Sequence, residues 1–341
     1  MFIVITFMKE IPLLKKRISA LSRDDSSAFN SLALEVFHLQ YTYNDIYRIY
    51  CDLLKVNTNA IFRAEDIPFL PISFFKNFEI KSGSWDASEV FRSSGTTGME
   101  RSQHFVKCID WYYEICLKGF REFYGSPSDY NIIGLLPSYS ERPDSSLISM
   151  VNMLQSKNPD DTESFFLEDY AALNKTIKNA KQNGRKLLII GVTFALLDWA
   201  EKLPMQVKST ILLETGGMKG RKEELVRSEV HRQLKVAFQL DNIHSEYGMT
   251  ELFSQAYSTG NGFFYPTSTM RVYPRQITDP LTSGRISEQA AINVIDLGNI
   301  DTCSFIATDD VGRIYPDGGF EILGRLDQSD IRGCNLMFAG G

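Results

Sequence analysis

Apolar residues recur at helical spacing from about Ile11 to Asn57, as in Leu32, Leu34, Val36, Phe37 and Leu39, and Tyr and Phe are frequent among them. The spacing predicts a helical N-terminal region over residues 1–90. Two prolines in Ile67-Pro68-Phe69-Leu70-Pro71-Ile72 remove backbone donors and push their neighbours to extended conformations, so this segment reads as a connector. Helical spacing resumes from Trp111 to Tyr124, where the aromatic residues suit a core face. The middle of the chain then repeats one rhythm of apolar run, small or Gly-containing turn, and helix. Asn131–Leu136 leads to a helix over about 145–155, Lys186–Gly191 to one over Phe194–Lys202, and Thr210–Glu214, through Thr215-Gly216-Gly217, to one near Lys222–Leu234. Such alternation predicts a mostly parallel, helix-covered sheet whose carboxyl edge collects ligands. After about Met270 the runs shorten to Arg271-Val272-Tyr273, Gly284-Arg285-Ile286, Ala291–Ile295 and Ser304–Ala307, the pattern of a small β-rich subdomain that closes on a Pro316-Asp317-Gly318 hairpin turn. The expected organisation is a helical region over 1–90, an α/β core over 91–269, a β-rich subdomain over 270–325 and a tail over 326–341 bearing Cys334.

Composition narrows the function classes. The 341 residues are 43% hydrophobic and 23% charged, which is ordinary for a globular chain, and the formal net charge of -6 argues against sequence-independent nucleic-acid binding. Any polyanion must therefore be held by local groups. The five cysteines, Cys51, Cys108, Cys116, Cys303 and Cys334, include no CxxC pair, so neither a disulfide framework nor a zinc site is indicated and a reducing cytoplasm fits. Cys51, Cys108, Cys116 and Cys303 fall inside apparent helices or strands, where a cysteine acts as a small buried hydrophobe. The apolar start Met1–Met8 has no preceding basic residue and no small-residue cleavage site, so it does not read as a signal peptide, and translation starting at Met8 would remove it. The most apolar internal run, Leu187–Ala200, is too short to span a bilayer, so no membrane insertion is expected.

Ser93-Ser94-Gly95-Thr96-Thr97-Gly98 places four hydroxyls and two glycines in six residues. Glycines let backbone N–H groups approach a ligand and hydroxyls add donors, so the run suits a phosphate loop, although plain surface loops share this composition and the Walker A pattern is absent. Its order relative to three later stretches gives it meaning: Thr215-Gly216-Gly217-Met218-Lys219-Gly220-Arg221, then Glu246-Tyr247-Gly248-Met249-Thr250-Glu251, then Thr308-Asp309-Asp310 followed fifteen positions later by Gly324-Arg325.

In type and order these stretches resemble the adenylate-forming superfamily of acyl-CoA synthetases, luciferases and peptide-synthetase adenylation domains. The resemblance implies that large-domain fold, with helix-covered mostly parallel sheets and a small β-rich subdomain, without the C-terminal lid domain. It implies that Ser93, Ser94, Gly95, Thr96, Thr97 and Gly98 hold the ATP phosphates. Gly216 and Gly217 would line the adenine with Ser245, Tyr247 and Gly248 beside it, Tyr247 stacking on the base, and Thr250 would contact the α-phosphate. Glu251 would bind Mg²⁺, which takes one or two carboxylates plus phosphate oxygens. Asp310 and Arg325 would hold the ribose, with Asp309 a rival for the first. Arg101 replaces the superfamily's Lys after the phosphate loop, and the Lys of the lid domain has no counterpart in a chain that stops sixteen residues after Arg325. Transition-state charge would then fall to Mg²⁺ with Arg101, Lys219, Arg221 or Arg325.

Within the superfamily, Ile67–Lys76, Leu136–Tyr139 with Glu141–Ser146, Thr215–Arg221 and Arg332-Gly333-Cys334 resemble the LuxE-type acyl-protein synthetases. That likeness implies activation of a carboxylic acid, probed most naturally as a fatty acid, to acyl-AMP. Transfer to Cys334 would follow, for delivery to an acyl-CoA reductase-like or acyl-carrier partner. Arg325 and Arg332 would lower the Cys334 thiol pKa if near in space. Two other readings stand beside it: an acid-thiol ligase passing the acyl group to coenzyme A or a carrier protein, similar to phenylacetate-CoA ligases, and a nucleotide-binding interaction subunit without turnover. His244 lies three residues before Tyr247, while His38, His104 and His231 read as surface or packing residues.

Overall fold

The computed structural model describes residues 2–94, 100–138, 140–158, 164–180, 184–216 and 225–326, with side chains from residue 10 onward. Two compact units are present, one built from the residues up to Asp86 together with those from Ser268, the other from Ala87–Thr267.

The first unit carries helices α1 (Phe2–Ser19), α2 (Ser26–Tyr43), α3 (Asp45–Leu53) and α4 (Phe74–Asn77), and strands β1 (Leu70–Pro71), β10 (Met270–Arg275), β11 (Gln289–Asp296), β12 (Phe305–Ile314) and β13 (Phe320–Arg325). The strand order is β1-β12-β11-β10, with β13 also pairing with β12. Only β1 runs parallel to its partner, and the rest are antiparallel. The connector's prolines leave two residues able to join an edge: Leu70 and Pro71 pair with Ile306 and Ala307, an edge position that tolerates the missing Pro71 donor. Helix α2 starts where the Asp25 side chain accepts from Ala28 N–H at 3.0 Å, and it buries Phe29, Leu32, Val36, Phe37 and Leu39. Phe37 meets Phe305 edge-on at 6.2 Å, and Tyr47 of α3 stacks on the same ring at 5.8 Å. A buried amide locks the contact, since Gln40 Nε2 donates to the Asn299 and Ile300 carbonyls and its Oε1 accepts from Ser304 N–H at 2.9 Å.

The second unit begins with an antiparallel pair, β2 (Glu89–Arg92) and β3 (Gln103–Val106), followed by α5 (Ile109–Tyr124). Its sheet has the order β4 (Tyr130–Leu135), β5 (Lys186–Gly191), β6 (Thr210–Glu214), β7 (His244–Tyr247), β8 (Ala256–Ser258), β9 (Tyr265–Pro266). The first four strands are parallel and the last two antiparallel. The crossovers carry α6 (Ser146–Gln155), α7 (Tyr170–Ala180), α8 (Thr193–Lys202) and α9 (Arg227–Phe238). Strand β4 is buried along its whole length, as a parallel strand covered on both faces requires. Ile133, Leu135, Leu173, Ile177, Ile189, Leu196, Leu212, Val230 and Leu234 form one core, capped by Trp199 against Phe238 with ring centroids 4.2 Å apart. The mixed α/β architecture and the largely parallel sheet are those expected from the alternating pattern; α7 is an element that the pattern did not announce.

Candidate functional site

The candidate phosphate loop is the connection of the β2–β3 pair. Its two arms are clasped at the base, where Ser93 N–H donates to the Ser102 carbonyl at 3.1 Å and Ser102 N–H donates to Ser93 Oγ at 3.0 Å. Arg101 straps the same base from the side: its Nε donates to the Ser93 carbonyl at 2.5 Å, and its Nη2 to Arg92 O at 3.3 Å and Asp144 Oδ2 at 2.6 Å. Arg142 donates to the other oxygen of Asp144 at 3.1 Å, and Arg92 N–H donates to the Asp144 carbonyl at 2.8 Å. Burial alone would raise the Asp144 carboxyl pKa, but the two guanidiniums hold it below its ordinary value. Arg101, read from sequence as the loop's phosphate cation, is thus placed as the strap of the loop's base, half-exposed and paired with Asp144. Ser94 is exposed at the loop's rim, and Gly95, Thr96, Thr97 and Gly98 lie outside the described residues.

The Tyr247–Glu251 stretch follows β7. Tyr247 is buried with its ring 5.9 Å from Phe264, Gly248 is exposed, Thr250 is half-buried and Glu251 is buried. His104, on β3, reaches this stretch with Nδ1 2.9 Å from the Thr250 carbonyl, and its ring stacks on Phe253 at 4.7 Å. A carbonyl only accepts, so Nδ1 carries the proton. Full burial pushes the ring's pKa down to about 4, which keeps the imidazole neutral at pH 7. The arm of the candidate phosphate loop and the Thr250 turn are thereby joined by a side chain that the sequence marked as a surface or packing residue.

Gly216, at φ +74°, forms the turn after β6, and Gly217 lies outside the described residues. Ser245 is fully buried on β7, and its hydroxyl bridges His231 Nε2 at 3.1 Å and Glu214 Oε2 at 3.2 Å. Asp310 and Arg325 are direct cross-strand partners on β12 and β13, with Arg325 Nε 3.4 Å from Asp310 Oδ1. Asp309 is exposed while Asp310 is buried, so of the two aspartates it is Asp310 that faces Arg325. Among the described residues no group of three or more His, Cys, Asp or Glu could cage a metal ion. A single buried carboxylate such as Glu251 suits an ion that takes most of its oxygens from phosphate and water, as Mg²⁺ does.

The cysteines divide. Cys51, Cys116 and Cys303 are buried, and burial pushes the Cys51 thiol up to about 12 and that of Cys303 higher still, which leaves both inert. Cys108 departs from the expected burial: it is exposed, at the position preceding α5. Cys334, Arg332, Lys219 and Arg221 lie outside the described residues. No helix among the described residues is long and apolar enough to cross a membrane.

Residues 8–109 match the family described as acyl-protein synthetase, LuxE. No curated protein sequence matches the chain. Among solved structures, 2-hydroxyisobutyryl-CoA ligase in complex with 2-HIB-AMP and CoA shares the fold at TM-score 0.66 and 11% identity, covering 90% of this chain and 70% of that one. ATP-bound MatB from Rhodopseudomonas palustris is similar at TM-score 0.53 and 14% identity, over 72% of this chain and 49% of that one. O-succinylbenzoate coenzyme A synthetase (MenE) from Bacillus subtilis, with ATP and magnesium ion, is similar at TM-score 0.50 and 16% identity, over 73% and 52%. The fold is therefore that of the large domain of adenylate-forming enzymes, and the chain spans about half the length of the MatB and MenE chains it matches.

Proposed function

We propose that the chain activates a carboxylic acid with ATP and then carries the acyl group on a cysteine of its own. In the first step a substrate carboxylate oxygen attacks the α-phosphorus, the bond to the β-phosphate bridging oxygen breaks, and pyrophosphate leaves. In the second, a cysteine thiolate attacks the acyl carbonyl carbon and AMP leaves with the electron pair of the broken mixed-anhydride bond. The observation that carries this reading is the match of residues 8–109 to the acyl-protein synthetases on a chain with the adenylate-forming fold.

Several placements support it. The hairpin loop strapped by Arg101 offers backbone N–H groups and hydroxyls to phosphate. Thr250, tied to β3 through His104, is the residue for the α-phosphate, with Gly216, Gly217, Ser245, Tyr247 and Gly248 around the base. The Asp310 carboxylate accepts from the ribose hydroxyls, and Arg325 beside it orients that carboxylate. Glu251 would hold Mg²⁺, which when bound neutralises phosphate charge as pyrophosphate departs. Cys334 is the acyl acceptor, a fatty acid is the first substrate class to try, and an acyl reductase or carrier protein is the onward recipient. Coenzyme A as direct acceptor is the second reading, favoured by the fold shared with a ligase whose structure holds CoA.

Incubation with ATP and radiolabelled fatty acids tests the reading. The expected product is chain-bound label released by neutral hydroxylamine and absent in Cys334→Ser. Label retained in that variant rejects the acceptor, and turnover only with coenzyme A present selects the second reading.

A further inference from the structure

Glu214 ends β6 with its side chain 4% exposed, and no sequence motif singled it out. A carboxylate this deep is costly unless hydrogen-bonded and paired. Here every side of it is met. Its Oε1 accepts from the Thr193 hydroxyl and from Gly216 N–H at 2.8 Å, and its Oε2 accepts from Ser245 Oγ at 3.2 Å. His231 Nε2 lies 3.1 Å from the same Ser245 Oγ, and since that hydroxyl's proton points to Glu214, the imidazole N–H is the donor. Arg227 Nε and His231 Nε2 each stand 3.9 Å from Oε2. Burial would raise the carboxyl pKa, yet these partners, His231 and Arg227 foremost, bring it down to about 2.

The network surrounds one turn. Thr215 N–H donates to the Gly191 carbonyl at 3.0 Å, and Thr193 N–H donates to the Gly216 carbonyl at 3.0 Å. With Glu214 on the Gly216 N–H, both backbone polar groups of Gly216 are fixed at a φ of +74°, which an L side chain rarely adopts. The turn stands at the carboxyl edge of four parallel strands, where open α/β sheets gather ligands. One carboxylate therefore sets the shape of that edge and ties β6 to the start of α8, to α9 and to β7.

We infer that Glu214 is the positioning residue for the base of the bound nucleotide, holding the Thr215-Gly216 turn at the height and angle that a purine face meets; this rests on the reading of that turn as part of an ATP site. The carboxylate touches no ligand and acts through the turn. The base then docks on a surface fixed before binding, which lowers the ordering cost of association.

Equilibrium binding of two probes separates positioning from general damage. AMP carries the base, whereas tripolyphosphate carries only the phosphates. In the full chain, Glu214→Ala should weaken AMP at least tenfold and leave tripolyphosphate within twofold. Glu214→Gln, which keeps an acceptor for Gly216 N–H, should fall between it and the wild type, and Thr193→Val should weaken AMP about threefold. Parallel weakening of both probes, or unchanged AMP affinity in Glu214→Gln and Thr193→Val, overturns the inference even if Glu214→Ala fails to fold. A wild-type chain that binds AMP but shows no acid-dependent turnover rejects the proposed reaction and leaves this inference standing, while one that binds neither probe rejects both.

Discussion

Arg101 and Asp144 meet 43 positions apart in sequence, and their pairing straps the base of the candidate phosphate loop. Their side chains are 32% and 22% exposed, so solvent screens the pair and its direct worth to stability is about 1 kcal/mol. On the proposed function the larger effect is on activity. Arg101→Ala and Asp144→Ala should each lower kcat/KM for ATP at least tenfold in acid-dependent pyrophosphate exchange, and the double variant should be no worse than the poorer single one, because both remove the same strap. Additive losses would show that the two act separately. Glu246 makes a different prediction. Burial first, and the charge of Glu214 second, push its carboxyl up to about 8. It is protonated in the folded protein at neutral pH and ionised when unfolded, so stability is fully present below about 4.5 and is lost as pH rises from there to about 8. That span bounds the loss at about 5 kcal/mol. Glu246→Gln should therefore gain more stability over the wild type at pH 8 than at pH 5 in denaturant titrations, and an equal difference at both would refute the assignment. None of these relations was legible in the sequence. His104 reaches Thr250 across 146 positions and Ser245 reaches Glu214 across 31, and long-range side-chain pairing leaves no periodic trace.

Elements were legible where one local period governs them. Lys186–Gly191 and Thr210–Glu214 read directly as strands because buried parallel strands are continuous apolar runs bounded by small residues. Helix α6 begins where the Ser145 hydroxyl accepts from Ile148 N–H, a capping signal local to the sequence. Helix α7 was missed because its sequence is as polar as it is apolar, burying only Tyr170, Leu173 and Ile177. Strand β1 was missed because two prolines mask a pairing that depends wholly on β12. A glycine pair tests the hairpin that presents Asp310 and Arg325. Next to the register shift between β12 and β13, a Cβ at Gly312 would collide with the Glu321 backbone carbonyl, whereas a Cβ at Gly324 meets nothing within 4 Å. Gly312→Ala should cost about 2–4 kcal/mol in equilibrium unfolding and Gly324→Ala less than about 1 kcal/mol. Equal costs would mean that the β12–β13 register differs from the one described.

At the scale of the whole molecule, the alternating middle of the chain disclosed the fold class, because a parallel sheet needs helical crossovers and these impose a rhythm that local sequence shows. The joining of the chain's two ends into one unit was not visible, since pairing between residues such as Gln40 and Ser304 has no local signature. On the proposed function, a chain with a formal charge of -6 would hold ATP by local donors, such as those of the strapped loop, rather than by a general positive field. The proposed first step is carboxylate activation with release of pyrophosphate. Its most direct measurement is the exchange of labelled pyrophosphate into ATP, with Mg²⁺ and candidate acids present and coenzyme A absent. The exchange should depend on an acid and survive in Cys334→Ser, because adenylation precedes acyl transfer. Exchange in no acid tested, from a chain shown to bind ATP, would contradict it.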